Sequence, residues 1–88
     1  MTIEEDKKYS KQMLGKTVVT KSGKRFGEVG NISFESRSGE LIHILLRNPT
    51  SYIEGMDLEK DNNGEFLVPF SSVIAVGDFV VVGEEDII

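Results

Sequence analysis

Short runs of β-branched and aliphatic residues, separated by turn-forming residues, constrain this sequence more than any other feature. Thr17–Thr20 is β-branched throughout, and residues 41–46 form an almost continuous apolar run of strand length. Val73–Val76 and Phe79–Val82 are separated by Gly77-Asp78, which predicts a hairpin with a type II′ turn. No stretch keeps a helical spacing over a useful length. Five or six short strands with closely spaced turns predict an all-β sandwich or a small barrel.

The segments between these runs predict the rest of the organisation. Gly27 and Gly30 interrupt the extended stretch 26–34, as glycines do where a strand bends at a barrel corner. A short strand at 66–68 ends at Pro69, and one helical or 3₁₀ turn follows it. We expect a flexible segment at 1–9, one domain at 10–83 and an acidic C-terminal tail at 84–88.

Length and composition exclude several classes of protein. With 88 residues the chain has room for one domain, whose small core would gain from a partner or a dimer. The absence of cysteine excludes a disulfide framework and a thiolate zinc site. The first residues lack the basic and apolar regions of a signal peptide, and no apolar run reaches the roughly 20 residues of a membrane span. We therefore expect a cytoplasmic protein.

Charge is distributed unevenly along the chain. Residues 7–25 contain seven bases and no acid, whereas residues 54–86 contain nine acids and one base, Lys60. This segregation predicts either steering of charged partners or an ordinary solvated surface. The net charge of −5 and the sparse aromatic residues in the basic segment do not favour nucleic-acid binding.

Motifs that would indicate catalysis or metal binding are incomplete. Gly15-Lys16-Thr17 resembles the end of a phosphate-binding loop, but a β-branched run follows it where a helix is required. The alternating acids of residues 57–61 lack the glycine and the terminal glutamate of a calcium loop. His43 is the only histidine, so we expect it to be a structural or an interface residue. Ser71 and Ser72 lack a nucleophile-elbow sequence, so we expect them to cap the short turn. The sequence predicts no enzyme, no cofactor and no metal site.

The best candidate for partner binding is the long connection after Asn48. Four apolar side chains lie in this otherwise polar stretch, and such residues either fold over the core as a lid or contact a partner. They are Tyr52, Ile53, Met56 and Leu58.

A second candidate is an exposed strand edge. A homodimer, or a heterodimer with a paralogue, would form by strand addition at this edge. The edge would be supplied by Val80, Val81 and Val82, or alternatively by Thr17–Thr20.

An ordered set of residues resembles the PRC-barrel domain family from about Ser10 to Gly83. It begins with Leu14-Gly15-Lys16 and Val18, continues through the glycines 23, 27 and 39, and ends in Val68-Pro69-Phe70 and Val76-Gly77-Asp78. The resemblance implies a small, strongly bent antiparallel barrel of about six short strands that binds proteins and has no chemistry of its own. Stand-alone members of this size are typical of archaea.

The resemblance also suggests two processes. Some stand-alone members are cell-division components that bind the adaptor tethering the tubulin-like ring, so our first hypothesis is an adaptor of archaeal cell division. The alternative is an RNA-processing or ribosome-assembly factor that binds a ribosomal protein, as the ribosome maturation factor relatives do. The basic segment 7–25 is the feature that favours this alternative.

Overall fold

The computed structural model describes residues 11–87, apart from the side chain of Asp86. The predicted flexible segment 1–9 lies outside the described residues. Within residues 11–87 there are six strands: β1 (Thr17–Thr20), β2 (Arg25–Phe34), β3 (Leu41–Arg47), β4 (Leu67–Pro69), β5 (Val73–Val76) and β6 (Phe79–Val82). Residues 11–13 are helical, and the remaining regular elements are the one-turn helix α1 (Ser51–Glu54) and the 3₁₀ turns Phe70–Ser72 and Glu84–Asp86. The prediction of an all-β protein is confirmed.

The six strands form one mixed sheet in the order β4-β3-β2-β1-β6-β5. Four of the five neighbouring pairs are antiparallel. The exception joins the two ends of the domain, because β1 and β6 run parallel from Thr17↔Phe79 to Thr20↔Val82. The predicted fully antiparallel arrangement is therefore wrong at this pair.

The sheet is strongly curled, although its hydrogen bonding does not form a closed ring. In a flat sheet β4 and β5 would lie about 24 Å apart, since neighbouring strands are spaced by about 4.8 Å. The three-residue turn Phe70–Ser72 is all that joins them, and the chain from Pro69 to Val73 spans at most about 14 Å. The two end strands are thus brought towards each other. Among the described residues β4 and β5 do not pair, so closure of a barrel is not observed.

Bulges supply much of this curvature. The register shifts between Val18 and Val19 on β1, and twice more where β2 pairs with β3. A further shift lies between Val73 and Ala75 on β5. An extra residue on one strand bends it and increases its twist, which allows short strands to curl around a small core.

Hydrogen bonds from backbone N–H groups to a side chain stabilise the turn between β2 and β3. The Glu35 carboxylate accepts hydrogen bonds from the N–H groups of Ser38 at 2.6 Å and Arg37 at 2.8 Å, in the turn between β2 and β3. The Ser38 N–H bond is the main reason that the pKa of Glu35 lies below its ordinary value. The predicted β5–β6 hairpin is present, but Gly77 has no positive φ, so the predicted type II′ turn is wrong.

The core packs against the curled sheet and is mainly aliphatic, with Phe26 and Phe66 as its aromatic members. Ile44 and Leu46 of β3 are buried, whereas Ile42 of the same run is 39% exposed beside the bulge in the β2–β3 pairing. The central apolar run of the sequence is therefore only partly internal. The buried apolar residues are Met13, Val18, Phe26, Val29, Leu41, Ile44, Leu46, Ile53, Phe66, Val68, Val80 and Val82.

Candidate functional site

The long connection after β3 is anchored at its beginning by Thr50. The Thr50 N–H donates to the Phe26 carbonyl at 3.0 Å, and its hydroxyl donates to the Arg25 carbonyl at 2.6 Å. Helix α1 follows directly, with Ile53 as its buried residue. The sequence did not reveal this helix, because one turn is too short to show a helical period. The anchor places residues 51–58 over one side of the core.

The four predicted partner-binding residues have different positions in the structure. Ile53 is fully buried, so it belongs to the core and offers no surface to a partner. Tyr52 is 37% exposed, and its ring lies 6.0 Å from that of Phe26. Met56 and Leu58 are half-buried against the core. The connection therefore covers the core as a lid while it leaves apolar surface accessible, and contact of that surface with a partner stays a prediction.

Met56 and Leu58 line a groove that the sequence did not reveal. One cavity of about 400 Å³ is bounded by residues 55–58 and Ile87. A second cavity of about 260 Å³ shares Asp57, Leu58 and Ile87 with the first. The two cavities adjoin at these shared residues, and we call them together the 55–59 groove. Among the described residues, its lining consists of Gly55, Met56, Asp57, Leu58, Glu59, His43, Leu67, Pro69 and Ile87.

Strands β3 and β4 contribute the other side of the groove. His43 pairs in register with Pro69, and neither is fully buried. His43 was expected to be a structural or an interface residue, and the structure places it at this surface. Only tertiary structure brings these residues next to the 55–59 segment, so no sequence pattern indicated them.

The C-terminal residues form the remaining wall. The Gly83 N–H donates to the Ser72 carbonyl at 2.9 Å, and the Tyr52 hydroxyl donates to the Glu84 carboxylate at 2.7 Å. Lys21 forms an ion pair with Glu85 at 2.9 Å. Ile87, which follows, packs against the core. The acidic stretch predicted as a tail therefore folds back onto the domain at residues 84, 85 and 87.

These bonds shift the ionisation of the groups that make them. The hydrogen bond to Glu84 raises the pKa of Tyr52, because loss of the phenolic proton would remove the bond and place two negative charges together. The hydrogen bond from Lys21 lowers the pKa of Glu85, because the ammonium group favours the charged carboxylate. At neutral pH both groups are therefore in the form that holds the C-terminal turn in place.

The rim of the groove is acidic. Asp57 and Glu59 are exposed, and neither forms an ion pair within residues 11–87. The neighbouring base, Lys60, places its ammonium group 4.8 Å from the centre of the Phe66 ring. Asp61 is already engaged, because its carboxylate accepts hydrogen bonds from the N–H groups of residues 63 and 65. The two carboxylates of the rim are thus available to a basic group.

The predicted dimer edge lies inside the sheet. Val80, Val81 and Val82 belong to β6, which pairs with β1 on one side and β5 on the other. The alternative edge, β1, is also interior. Both strands already have a partner on each side, so neither is free to accept another strand and the expected edge is wrong.

The true ends of the sheet are β4 and β5. The β4 edge is partly covered by the segment 59–60. The Leu67 N–H donates to the Glu59 carbonyl at 2.8 Å, and the backbone of Lys60 forms an isolated antiparallel β-bridge with Phe66. Pro69 removes a further donor from this strand. No comparable cover lies on β5 in the part of the chain that the structure describes.

The serines considered as nucleophiles have ordinary positions. Ser72 is buried and its hydroxyl donates to the Pro69 carbonyl at 2.7 Å, which closes the 3₁₀ turn. Ser71 is exposed on the same turn. Ser72 therefore has the local structural role that the sequence predicted.

A small curled β-sheet, with a surface groove lined by apolar and acidic residues, defines this molecule as a small β domain. The family model of the PRC-barrel domain matches residues 5–85, nearly the whole chain, and the protein belongs to this family. PRC-barrel domains are general protein-interaction modules. A search of curated proteins finds no match to the chain. Within residues 11–87 no helix is long and apolar enough to cross a bilayer.

Proposed function

We propose that this protein is a non-enzymatic adaptor that binds a protein partner through the 55–59 groove. The observation that carries the proposal is the accessible apolar lining of the groove, where Met56 and Leu58 are half-buried beside Ile87. Its larger cavity, about 400 Å³, lies within the roughly 300–1,000 Å³ typical of binding pockets. Methionine adapts its shape to a contact, which suits a surface that accepts a partner's side chain.

The process that we propose is archaeal cell division, in which the partner would be the adaptor that tethers the tubulin-like ring. Family membership supports a binding role, and the choice of this process rests on the resemblance to stand-alone members of the family. The ribosome-assembly alternative would use the basic segment 7–25. Two of its lysines already have partners in the fold, since Lys16 donates to the Gly77 carbonyl and Lys21 pairs with Glu85, and this favours the first process.

Affinity capture from the source organism, with and without ribonuclease, tests the choice between these processes. Recovery of the division adaptor in both samples would support the first proposal. Recovery of ribosomal proteins would instead support the alternative and direct attention to the basic segment.

A pair of matched variants tests the groove itself. Met56→Ala with Leu58→Ala should weaken binding of the captured partner about fivefold or more, since the central residues of an interface contribute more than about 1 kcal/mol. The control is Ile74→Ala with Phe79→Ala, which removes exposed apolar side chains from β5 and β6. Equal binding by the groove variant and the wild type would contradict the assignment, provided that circular dichroism shows both variants to be folded.

A further inference from the structure

We propose that the 55–59 groove binds a peptide segment whose aliphatic or aromatic anchor is flanked by lysine or arginine. This inference rests on the proposed function and specifies the chemistry of the partner. It follows from three features of the groove, which are its apolar lining, its carboxylates and the hydrogen bonding of its backbone.

The apolar centre and the carboxylates alternate along the chain. Leu58 is half-buried against the core, whereas Asp57 and Glu59 on either side of it are exposed. Both carboxylates line the groove together with Leu58. An apolar side chain that contacts Leu58 would therefore have basic neighbours within reach of two negative charges. A neutral or acidic flank would leave these charges uncompensated or repelled.

No base of the protein competes for this position among the described residues. Lys60 is the nearest base in the sequence, and its ammonium group lies over the Phe66 ring. The ion pairs of the described residues join Lys21 to Glu85 and Arg47 to Glu28, and none involves Asp57 or Glu59. Within residues 11–87 both rim carboxylates thus remain without an ion pair, which suits contact with a basic partner.

The backbone around the groove favours contact through side chains. The Glu59 carbonyl already accepts from the Leu67 N–H, and Pro69 has no N–H to offer. An added strand at β4 would find its hydrogen-bonding positions occupied or absent. We therefore expect the peptide to bind by its anchor and its charges, and not by extending the sheet.

Three synthetic peptides with blocked ends test the inference on the full chain labelled with ¹⁵N. The first probe is Lys-Lys-Leu-Phe-Lys-Lys, the second replaces every lysine with glutamate, and the third replaces Leu-Phe with Gly-Ser. We expect the first to shift the amide signals of residues 55–59, Leu67 and Ile87, and to bind more weakly as salt rises. The other two should bind at least about fivefold more weakly.

Matched variants separate a specific site from general charge attraction. Asp57→Asn with Glu59→Gln should weaken binding of the first peptide about three- to tenfold, as expected for the loss of two exposed charge pairs. Glu40→Gln with Asp78→Asn changes the net charge equally at exposed positions outside the groove lining and should have little effect. Equal losses in both variants would overturn the inference.

Other outcomes also decide the question. Equal binding of the glutamate or Gly-Ser peptide, or shifts confined to Ile74 and Phe79, would overturn it. No binding of the first peptide at millimolar concentration would do the same. Suppose that one of these peptide results occurred while Met56→Ala with Leu58→Ala still weakened binding of the captured partner. The proposed function would then stand, and only the peptide chemistry would be refuted.

Discussion

At the scale of single residues, two glycines allow β2 and the end of β3 to approach more closely than other residues would permit. A Cβ atom at Gly30 would lie 2.7 Å from the Cβ of Arg47. At Gly27, where φ is +152°, it would lie 3.1 Å from the Arg47 carbonyl oxygen. The sequence indicated a bend at these glycines. It could not show which backbone lies against them, because that contact joins residues nearly twenty positions apart.

The substitution Gly30→Ala should therefore destabilise the fold by about 1–3 kcal/mol, as overpacking of a tight contact typically does. Thermal unfolding followed by circular dichroism measures the effect, with each 1 kcal/mol lowering the Tm by about 4–8 °C in a domain of this size. Gly77→Ala is the control, since its Cβ would meet nothing within 4 Å and its φ is not positive. Equal Tm values for the two variants would show that β2 and β3 separate without cost.

At the scale of elements, the strands could be predicted because each is a local pattern. Thr17–Thr20 and Phe79–Val82 were predicted with the limits that the structure shows, and the 3₁₀ turn after Pro69 was also predicted. The parallel pairing of these two strands could not be predicted, because it joins residues about sixty positions apart. That pairing makes β1 and β6 interior strands. The predicted dimer edge at Val80–Val82 was therefore wrong because this long-range contact could not be predicted.

The candidate site shows the same division between local and tertiary information. Apolar residues in a polar connection identified Met56 and Leu58, which do line the groove. The same signal selected Ile53, which is buried, because composition alone cannot distinguish a residue facing the core from one facing solvent. His43 and Ile87 enter the site only through folding.

The C-terminal turn is an element whose attachment should depend on pH. The ion pair with Lys21 lowers the pKa of Glu85 from its ordinary value of 4.5. A carboxylate whose pKa is depressed on folding stabilises the folded state above its unfolded pKa, and this contribution is lost as pH falls through the folded pKa. We therefore expect the turn to loosen below about pH 4.5, which an NMR titration of the Glu85 carboxyl carbon and the Ile87 amide would report.

Substitution of the lysine tests the cause of this shift. In Lys21→Ala the pKa of Glu85 should rise towards 4.5, because the ammonium group that favours the charged carboxylate is gone. Lys24→Ala removes an exposed lysine nearby in the sequence and should leave the titration unchanged. A Glu85 pKa that is equally low in Lys21→Ala would assign the shift to the backbone of the turn and not to the ion pair.

At the scale of the whole molecule, the fold brings together charges that the sequence keeps apart. Seven of the ten basic residues precede position 26, and nine of the fifteen acids follow position 53. Because β1 and β6 lie side by side, Lys21 comes within 2.9 Å of Glu85. At this point the segregation of charge along the sequence gives way to an exposed ion pair within the protein. The carboxylates of the groove rim lie elsewhere and pair with no base within residues 11–87.

The same arrangement makes the last residues part of the domain, and this can be measured. A variant that ends at Gly83 retains all six strands but loses Ile87, which packs against the core and lines the groove. Burial of a whole isoleucine contributes about 1.5–3 kcal/mol, so a half-buried one should contribute about 1 kcal/mol. We expect cooperative unfolding with a Tm lower by about 4–8 °C.

Ile87→Ser separates apolar packing from the polar bonds of the turn, since it keeps Glu84 and Glu85 in place. If packing of Ile87 is the main contribution, this variant should reproduce most of the fall in Tm. An unchanged Tm in the truncated variant would show that the turn rests on the domain without stabilising it. Loss of cooperative unfolding would instead show that the curled sheet needs its C-terminal turn to hold β5 and β6 against β1, because those strands join the two ends of the chain.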